Sequence, residues 1–337
     1  MPQDTTDSSI RKPSARRVKG FAIVAGLASL ALATVVLGYF NIGQVVAAMR
    51  PVGLAGFAAA IAAQVVLFVP LGLAWWSLTD RQHGLWGFVW SRLLREAVSD
   101  ILPLSQLGGL AAASRAVSLC GAPIALAAGS AVADAMVEAG GQVAYTAIGL
   151  GILVNRLGAA ARDGSMFVHL GEGVAVSAVL VVAIIGSHRR WTGWLSRRIG
   201  QMFPALAEQV AAVGEVINRG LGNPLRVSLS LALHLTCWFG AAGGTWLILR
   251  FAGHPLPFAS VVGMESLLFA VRNAAFMAPS GVGVQEAAYA LLGPLFGIPP
   301  QAALALSLIK RARDIVVGLP VLLSWQLMER RHALTPR

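Results

Sequence analysis

Phe21–Phe40 is a run of twenty residues without a charged side chain, and apolar stretches of similar length recur along the chain. An apolar helix of about 20 residues crosses a hydrocarbon core about 30 Å thick. Such runs constrain the fold more than any motif. In lipid every backbone N–H and C=O must be satisfied by the protein itself, which leaves only helices and closed barrels. The alternating pattern of a barrel strand is absent, so the expected class is an all-α polytopic membrane protein. Composition agrees: 12% of residues are charged and the mean hydropathy is +0.71, where soluble domains carry about 25% charge.

Full spans are expected over 21–40, 52–79, 123–154, 166–187, 226–250 and 300–327. Two further apolar regions, 86–120 and 259–297, are each cut by Pro and Gly. They read as re-entrant hairpins, or alternatively as two short spans each; parity is the same either way. Together these segments form a single transmembrane domain over 21–328, between a basic tail (1–20) and a short C-terminal tail (329–337). The first apolar run is longer than a signal-peptide core and is followed by no small-residue cleavage site, so it reads as an uncleaved span.

Basic residues gather in three places: the N-terminal tail, the 188–226 loop (Arg189, Arg190, Arg197, Arg198, Arg219, Arg226) and the C-terminal tail (Arg330, Arg331, Arg337). The intervening loops hold few. With six full spans between them, the positive-inside rule then puts both termini in the cytoplasm. A net charge of +11 belongs to these loops. It does not indicate a nucleic-acid partner, because no basic run is interleaved with aromatics on a soluble surface. Within 188–226, Trp191, Trp194 and Leu195 share a face against Arg pairs, the pattern of a helix lying on an anionic leaflet.

The interruptions repeat. DILPLSQLGG (100–109) is followed by CGAP (120–123), and AFMAPSGVGVQE (275–286) by FGIP (296–299). Pro103, Gly121 and Pro123 fall on Pro279, Gly297 and Pro299 at one offset, 279 − 103 = 176, which also sets Glu96 on Arg272 and Glu138 on Asp314. With both termini inside, the two hairpins enter from opposite sides, which makes an inverted repeat. Matched helix breaks in such repeats point to a transporter's substrate site. The breaks are assigned to Pro103, Gly108, Gly109, Pro279, Gly281 and Gly283. Proline can end an arm without needing an N–H partner, and glycine lets the backbone turn. Irregular backbone at membrane depth survives only inside protein or against a wet cavity, so these breaks should face inward.

Charges at mid-span carry the rest. LIKRARD places Lys310, Arg311, Arg313 and Asp314 near the middle of the last span. Each would cost about 2.5–3.5 kcal/mol facing lipid at a helix centre, so they should face a cavity with acidic partners. Asp134, Glu138 and Gln142 recur every fourth residue in 123–154. Glu265 and Arg272 share a face of the arm entering the second hairpin, next to Asn273. Glu286 opens the leaving arm, where free N–H groups favour an anion, and should sit beside Lys310, Arg313 and Asp314. Arg92, Arg95, Glu96, Asp100 and Arg115 frame the first hairpin. The structural alternative is that these are interhelical ion pairs that only hold the bundle together. As a cavity, Arg and Lys suit a phosphate-bearing headgroup and the carboxylates suit an amine or hydroxyls. Both signs together suggest an amphiphilic lipid whose head crosses while its tail stays in the bilayer.

Enzymatic readings are weaker. There is no HExxH, CxxC or GxSxG, the six His are scattered, and Cys120 and Cys237 lie in apolar segments. No metal or cofactor is expected.

The strings LREAVSDILPLSQLGG, RNAAFMAPSGVGVQEAAYALLG and ALALSLIKRARD, in this order, resemble the family related to the transmembrane region of lysylphosphatidylglycerol synthases. Within it they are most similar to the hopanoid-biosynthesis-associated HpnL-type proteins. The similarity covers about residues 20–328, and the P-x-G-x-G-x-x-E block (279–286) is its most specific motif. It implies a flippase-like fold with re-entrant hairpins and a role in moving or presenting a hopanoid or other polar lipid between leaflets. The alternatives are a non-transporting accessory of hopanoid-biosynthesis enzymes, which would then be its partners, and a membrane-embedded lipid-modifying transferase. Two departures matter. The soluble aminoacyl-transfer domain of the bifunctional synthases is not among these residues, so lysine transfer is not implied. Gly243 and Gly244 precede Thr245-Trp246 where related sequences often carry an acidic residue, which bears on headgroup preference.

Overall fold

The computed structural model describes residues 42–102, 105–157, 165–274 and 282–334, and among them every regular element is helical. The expected first span, 21–40, and the break residues Pro103, Pro279 and Gly281 lie outside the described residues. A short helix α1 (Ile42–Met49), not anticipated from sequence, is joined by a 3₁₀ turn to α2 (Gly53–Ser77). The first interrupted region forms α3 (Leu85–Ile101) and α4 (Ser105–Leu119). The long α5 (Ile124–Leu157) and α6 (Ser165–Gly186) follow. The expected loop after them is two helices, α7 (His188–Met202) and α8 (Ala207–Leu221). The chain continues through α9 (Pro224–Phe251), the second interrupted pair α10 (Phe258–Ala274) and α11 (Val284–Phe296), and ends in α12 (Pro300–Leu334). The C-terminal tail expected from 329 is therefore largely a continuation of α12.

Among the described residues three stretches are long and apolar enough to cross a membrane, namely Gly43–Ser77, Ile124–Leu157 and Pro224–Phe251; a fourth is reached if the bent α6–α7 pair counts as one. The bend between those two helices is 65°, and the Trp191 indole pins it by donating to the Ile184 carbonyl at 3.1 Å. On α7, Thr192 turns inward to Asn218 of α8 at 3.0 Å, while Trp194 and Leu195 stay exposed. Of the three residues expected on one lipid-facing side, Trp191 is thus half-buried against the bundle.

Three helix boundaries have a clear local cause. Asn223 caps α9 by accepting from Arg226 N at 3.1 Å, with Pro224 in the first turn, where its missing N–H costs nothing. Both interrupted pairs end in the same way. After α4, Gly121 takes φ 95°, with Ala122 N bonded to Val117 O at 3.4 Å; after α11, Gly297 takes φ 97°, with Ile298 N bonded to Gly293 O at 3.0 Å. Both are glycine-terminated caps whose left-handed residue favours glycine. Every residue of one corresponds to a residue of the other at the offset of 176. The two caps therefore match in backbone at that offset.

Packing follows the same exchange. Helix α2 pairs with α9, α3 packs on α12 as α10 packs on α5, and α4 lies against α5 as α11 lies against α12. Each interrupted pair is an antiparallel helical hairpin. Gly87 near the start of α3 faces Cys120 beyond the end of α4, and Gly263 near the start of α10 faces Phe296 at the end of α11. The approach of α3 and α4 depends on Gly109, where an added Cβ would lie 2.7 Å from the Arg95 carbonyl oxygen. This corrects one expectation: Gly108 and Gly109 lie inside α4, not in the break, and Gly109 is there because a backbone passes too close for a side chain. Gly283, with φ 79°, does stand at the break as the residue before α11.

The arrangement is inverted relative to a soluble protein. Val179, Leu180, Val182, Leu319 and Leu323 are exposed, whereas Arg92, Asp134, Glu265, Glu286 and Lys310 are almost wholly buried.

Candidate functional site

Two buried ion clusters and one cavity hold nearly all of the charges expected at depth. In the first half, Arg92 and Arg95 on α3 reach Asp134 and Glu138 on α5. Arg92 lies 3.2 Å from Asp134 and forks onto Glu138 and its own-helix neighbour Glu96, the latter at 2.9 Å. Arg95 lies 3.4 Å from Asp134 and 2.9 Å from Glu138. The other oxygen of Asp134 meets His234 Nε2 of α9 at 3.0 Å.

In the second half the signs are reversed. Lys310 on α12 donates to Glu265 of α10 at 2.6 Å, to Tyr289 of α11 at 2.7 Å and to Thr245 of α9 at 3.3 Å. The Tyr289 hydroxyl donates to the other Glu265 oxygen at 2.5 Å. Phe269 adds its ring face 5.7 Å from the ammonium, a distance at which the ring quadrupole attracts a cation. Asp134 and Lys310 are equivalent at the offset of 176 (134 + 176 = 310). Each half therefore ties a hairpin arm to a long helix by a buried ion pair. The first half has cations on the arm and anions on the span; the second has the reverse. Such pairs are required because an isolated charge at this depth would cost several kcal/mol.

Glu286 forms a third group. One oxygen accepts from Gly283 N at 2.7 Å, closing the start of α11, and the other accepts from Arg311 at 3.0 Å and from Ser307 at 3.3 Å. The expectation that Glu286 sits beside Lys310, Arg313 and Asp314 is corrected to Arg311. Lys310 points instead to Glu265, and Arg313 folds onto its neighbour Asp314 at 2.7 Å. One residue along a helix is a 100° rotation, and that separates the partners of Lys310 and Arg311.

The ends of the two hairpin arms meet. Asp100, one residue before the end of α3, accepts from Arg272, near the end of α10, at 3.1 Å. Beside this bridge lies a cavity of about 240 Å³ lined by Asp100, Arg272, Gln285, Arg311 and Asp314, with Ile101, Val282 and Ile315 as its apolar wall. Two cations and two anions line it, so it is electrically balanced but strongly dipolar. All four charged groups remain about a quarter exposed, which leaves hydrogen-bonding capacity for a ligand.

Other expected site residues are placed elsewhere. Arg115 pairs with Glu329 at 3.0 Å on the outside of α4 and α12, away from cavity and clusters. Asn273 is exposed on α10. Gln142 turns along its own helix to Thr146 at 3.3 Å. Sequence reasoning did not single out His234, Thr245, Gln285, Tyr289 or Ser307. The available signal was a polar side chain inside an apolar run, which periodicity alone could not connect to a partner on another helix. No group of three or more His, Cys, Asp or Glu that could hold a metal occurs among the described residues.

An all-helical chain with at least three apolar membrane-length stretches, charges turned inward and leucines turned outward is a polytopic membrane protein. The family model for the lysylphosphatidylglycerol synthase TM region matches residues 23–321. The chain belongs to that family, and this membership points to a membrane protein acting on lipids. No curated protein matches it, and neither does any solved structure.

Proposed function

We propose that the protein is a flippase-like lipid translocase of the bacterial inner membrane, with both termini cytoplasmic, moving a polar lipid between leaflets. The observation that carries this reading is the two-signed cavity at the meeting point of two broken hairpins. A phosphate or other anionic group fits Arg272 and Arg311, an ammonium or hydroxyl fits Asp100 and Asp314, and the apolar wall leaves room for the first methylenes of a tail. The α3 arm, of 17 residues, and the α11 arm, of 13, fall short of the roughly 20 residues of a full crossing. That length favours re-entrant hairpins over pairs of spans. The similarity to hopanoid-associated HpnL-type sequences supports a hopanoid with a polar headgroup as cargo.

Reconstitution tests this. Proteoliposomes containing a headgroup-labelled polar lipid should redistribute it between leaflets faster than empty vesicles. The Arg272→Gln/Arg311→Gln variant should be slower by about tenfold or more, the worth of one or two charge-assisted hydrogen bonds at 1.5–3 kcal/mol each.

A second reading, a non-transporting accessory of hopanoid-biosynthesis enzymes, is favoured by one observation: every cavity cation already has a carboxylate partner. Equal redistribution by wild type and variant would select it and reject the translocase.

A further inference from the structure

The first-half cluster is not electrically balanced. Arg92 and Arg95 supply two positive charges against three negative charges on Glu96, Asp134 and Glu138. The group that completes it is His234, fully buried, with Nε2 3.0 Å from Asp134. Its Nδ1 has no partner among the described residues, and neither does the hydroxyl of Ser230, also fully buried and one turn earlier on α9. Residues four apart are neighbours on a helix. Two unpartnered polar groups stand together at the one place where a further positive charge would neutralise the cluster.

We propose that His234 is the proton-binding site of this protein, and, resting on the translocase reading above, that proton binding there drives lipid movement. Nδ1 takes a proton from water on one side, forming an imidazolium held by Asp134 through Nε2 and by the Ser230 hydroxyl through Nδ1. The cluster is then neutral, and the proton is returned to water on the other side when the conformation changes. The link to the cavity is short and made of named groups. Asp134 is shared by His234 and Arg92, Arg92 binds Glu96 at 2.9 Å, and Glu96 lies one turn from the cavity residue Asp100 on α3. A positive charge beside Asp134 competes with the two arginines for it and lets them rearrange, and α3 carries that change to the Asp100–Arg272 bridge.

The surroundings of His234 leave few competitors. Helix α5 presents Asp134 and Glu138, α3 contributes Arg92, Arg95 and Glu96 through them, and Cys237 lies one turn along α9. Helix α2, on the other side of α9, contains no ionisable residue. On α8, Arg219 is held outside by Asp80 and Glu215. Glu265 on α10 and Lys310 on α12 belong to the second cluster, reached at Thr245, eleven residues and about 16 Å further along α9.

The test uses the purified full-length protein. Trp238 lies one turn from His234, stacked on Tyr145 at 5.6 Å, and an imidazolium beside an indole quenches its fluorescence. Wild-type protein in detergent should show a fluorescence step on acidification, and His234→Gln should lose it. Ser230→Ala removes a hydroxyl with no resting partner, so folding should be unaffected. It should nonetheless diminish the step, because the imidazolium loses one hydrogen bond.

In proteoliposomes of phosphatidylethanolamine and phosphatidylglycerol carrying a labelled polar lipid, an imposed pH gradient should speed redistribution by wild type and not by His234→Gln. A step that survives in His234→Gln, or is undiminished in Ser230→Ala, overturns the proton site. A step lost as expected, with lipid movement indifferent to the gradient, overturns the coupling. If no protein moves lipid but the step behaves as expected, the translocase reading and the coupling fall while the proton site stands.

Discussion

At the residue scale, the sharpest constraint is the contact between Gly109 and the Arg95 carbonyl. Gly109→Ala should destabilise the protein by about 1–3 kcal/mol, as overpacking does, read as a lowered melting temperature in detergent. Gly151→Ala on α5 is the control: nothing lies within 4 Å of its added methyl. It should be neutral or stabilise by up to about 1 kcal/mol through helix propensity. The Lys310–Glu265 pair has a different signature. Glu265→Gln strands a buried ammonium and should cost about 3–5 kcal/mol, whereas adding Lys310→Met should recover most of the loss, because a neutral pair needs no desolvation. A melting series over the single and double variants decides it.

At the element scale, each interrupted region is an antiparallel hairpin stitched by small residues. The ends of the first one are close enough to lock. An added Cβ at Gly87 would lie 3.1 Å from Cys120 Cβ, slightly inside the 3.5–4.5 Å typical of disulfides. Gly87→Cys should therefore cross-link to Cys120 under mild oxidation, visible as altered gel mobility, with Cys237 buried elsewhere. Failure to cross-link would contradict the antiparallel packing of α3 on α4. The caps after α4 and α11 match in backbone although the side chains around them differ. The cap geometry requires glycine, while the packed faces only require complementary shapes.

At the scale of the whole molecule, the two halves meet through Asp100 and Arg272, each at the end of its own hairpin arm. Reversing one charge, as in Arg272→Asp, would place two carboxylates together at the cavity and should lower both thermal stability and lipid redistribution. The exchange Asp100→Arg/Arg272→Asp should restore the bridge and much of the stability. If neither variant differs from wild type in either measurement, the halves are not coupled at this point.

The sequence by itself determined the helical class, because apolar runs of membrane length admit almost nothing else for this composition. It also located both interruptions and their offset, because Pro and Gly act locally on the backbone. It showed that LIKRARD and the Asp134–Glu138 stripe must turn inward, since lipid penalises a charge wherever it occurs. Only the tertiary structure decided the partners. It assigned Lys310 to Glu265 and Tyr289, Arg311 to Glu286, and Arg92 and Arg95 to Asp134 and Glu138. It removed Arg115 to an outer pair with Glu329 and brought His234 of α9 onto Asp134, a partner that periodicity could not supply. Helical periodicity fixes which face a side chain occupies, but not which helix that face meets or at what height. A slip of one residue between two helices is about 1.5 Å of rise and 100° of turn, enough to exchange one ion partner for another.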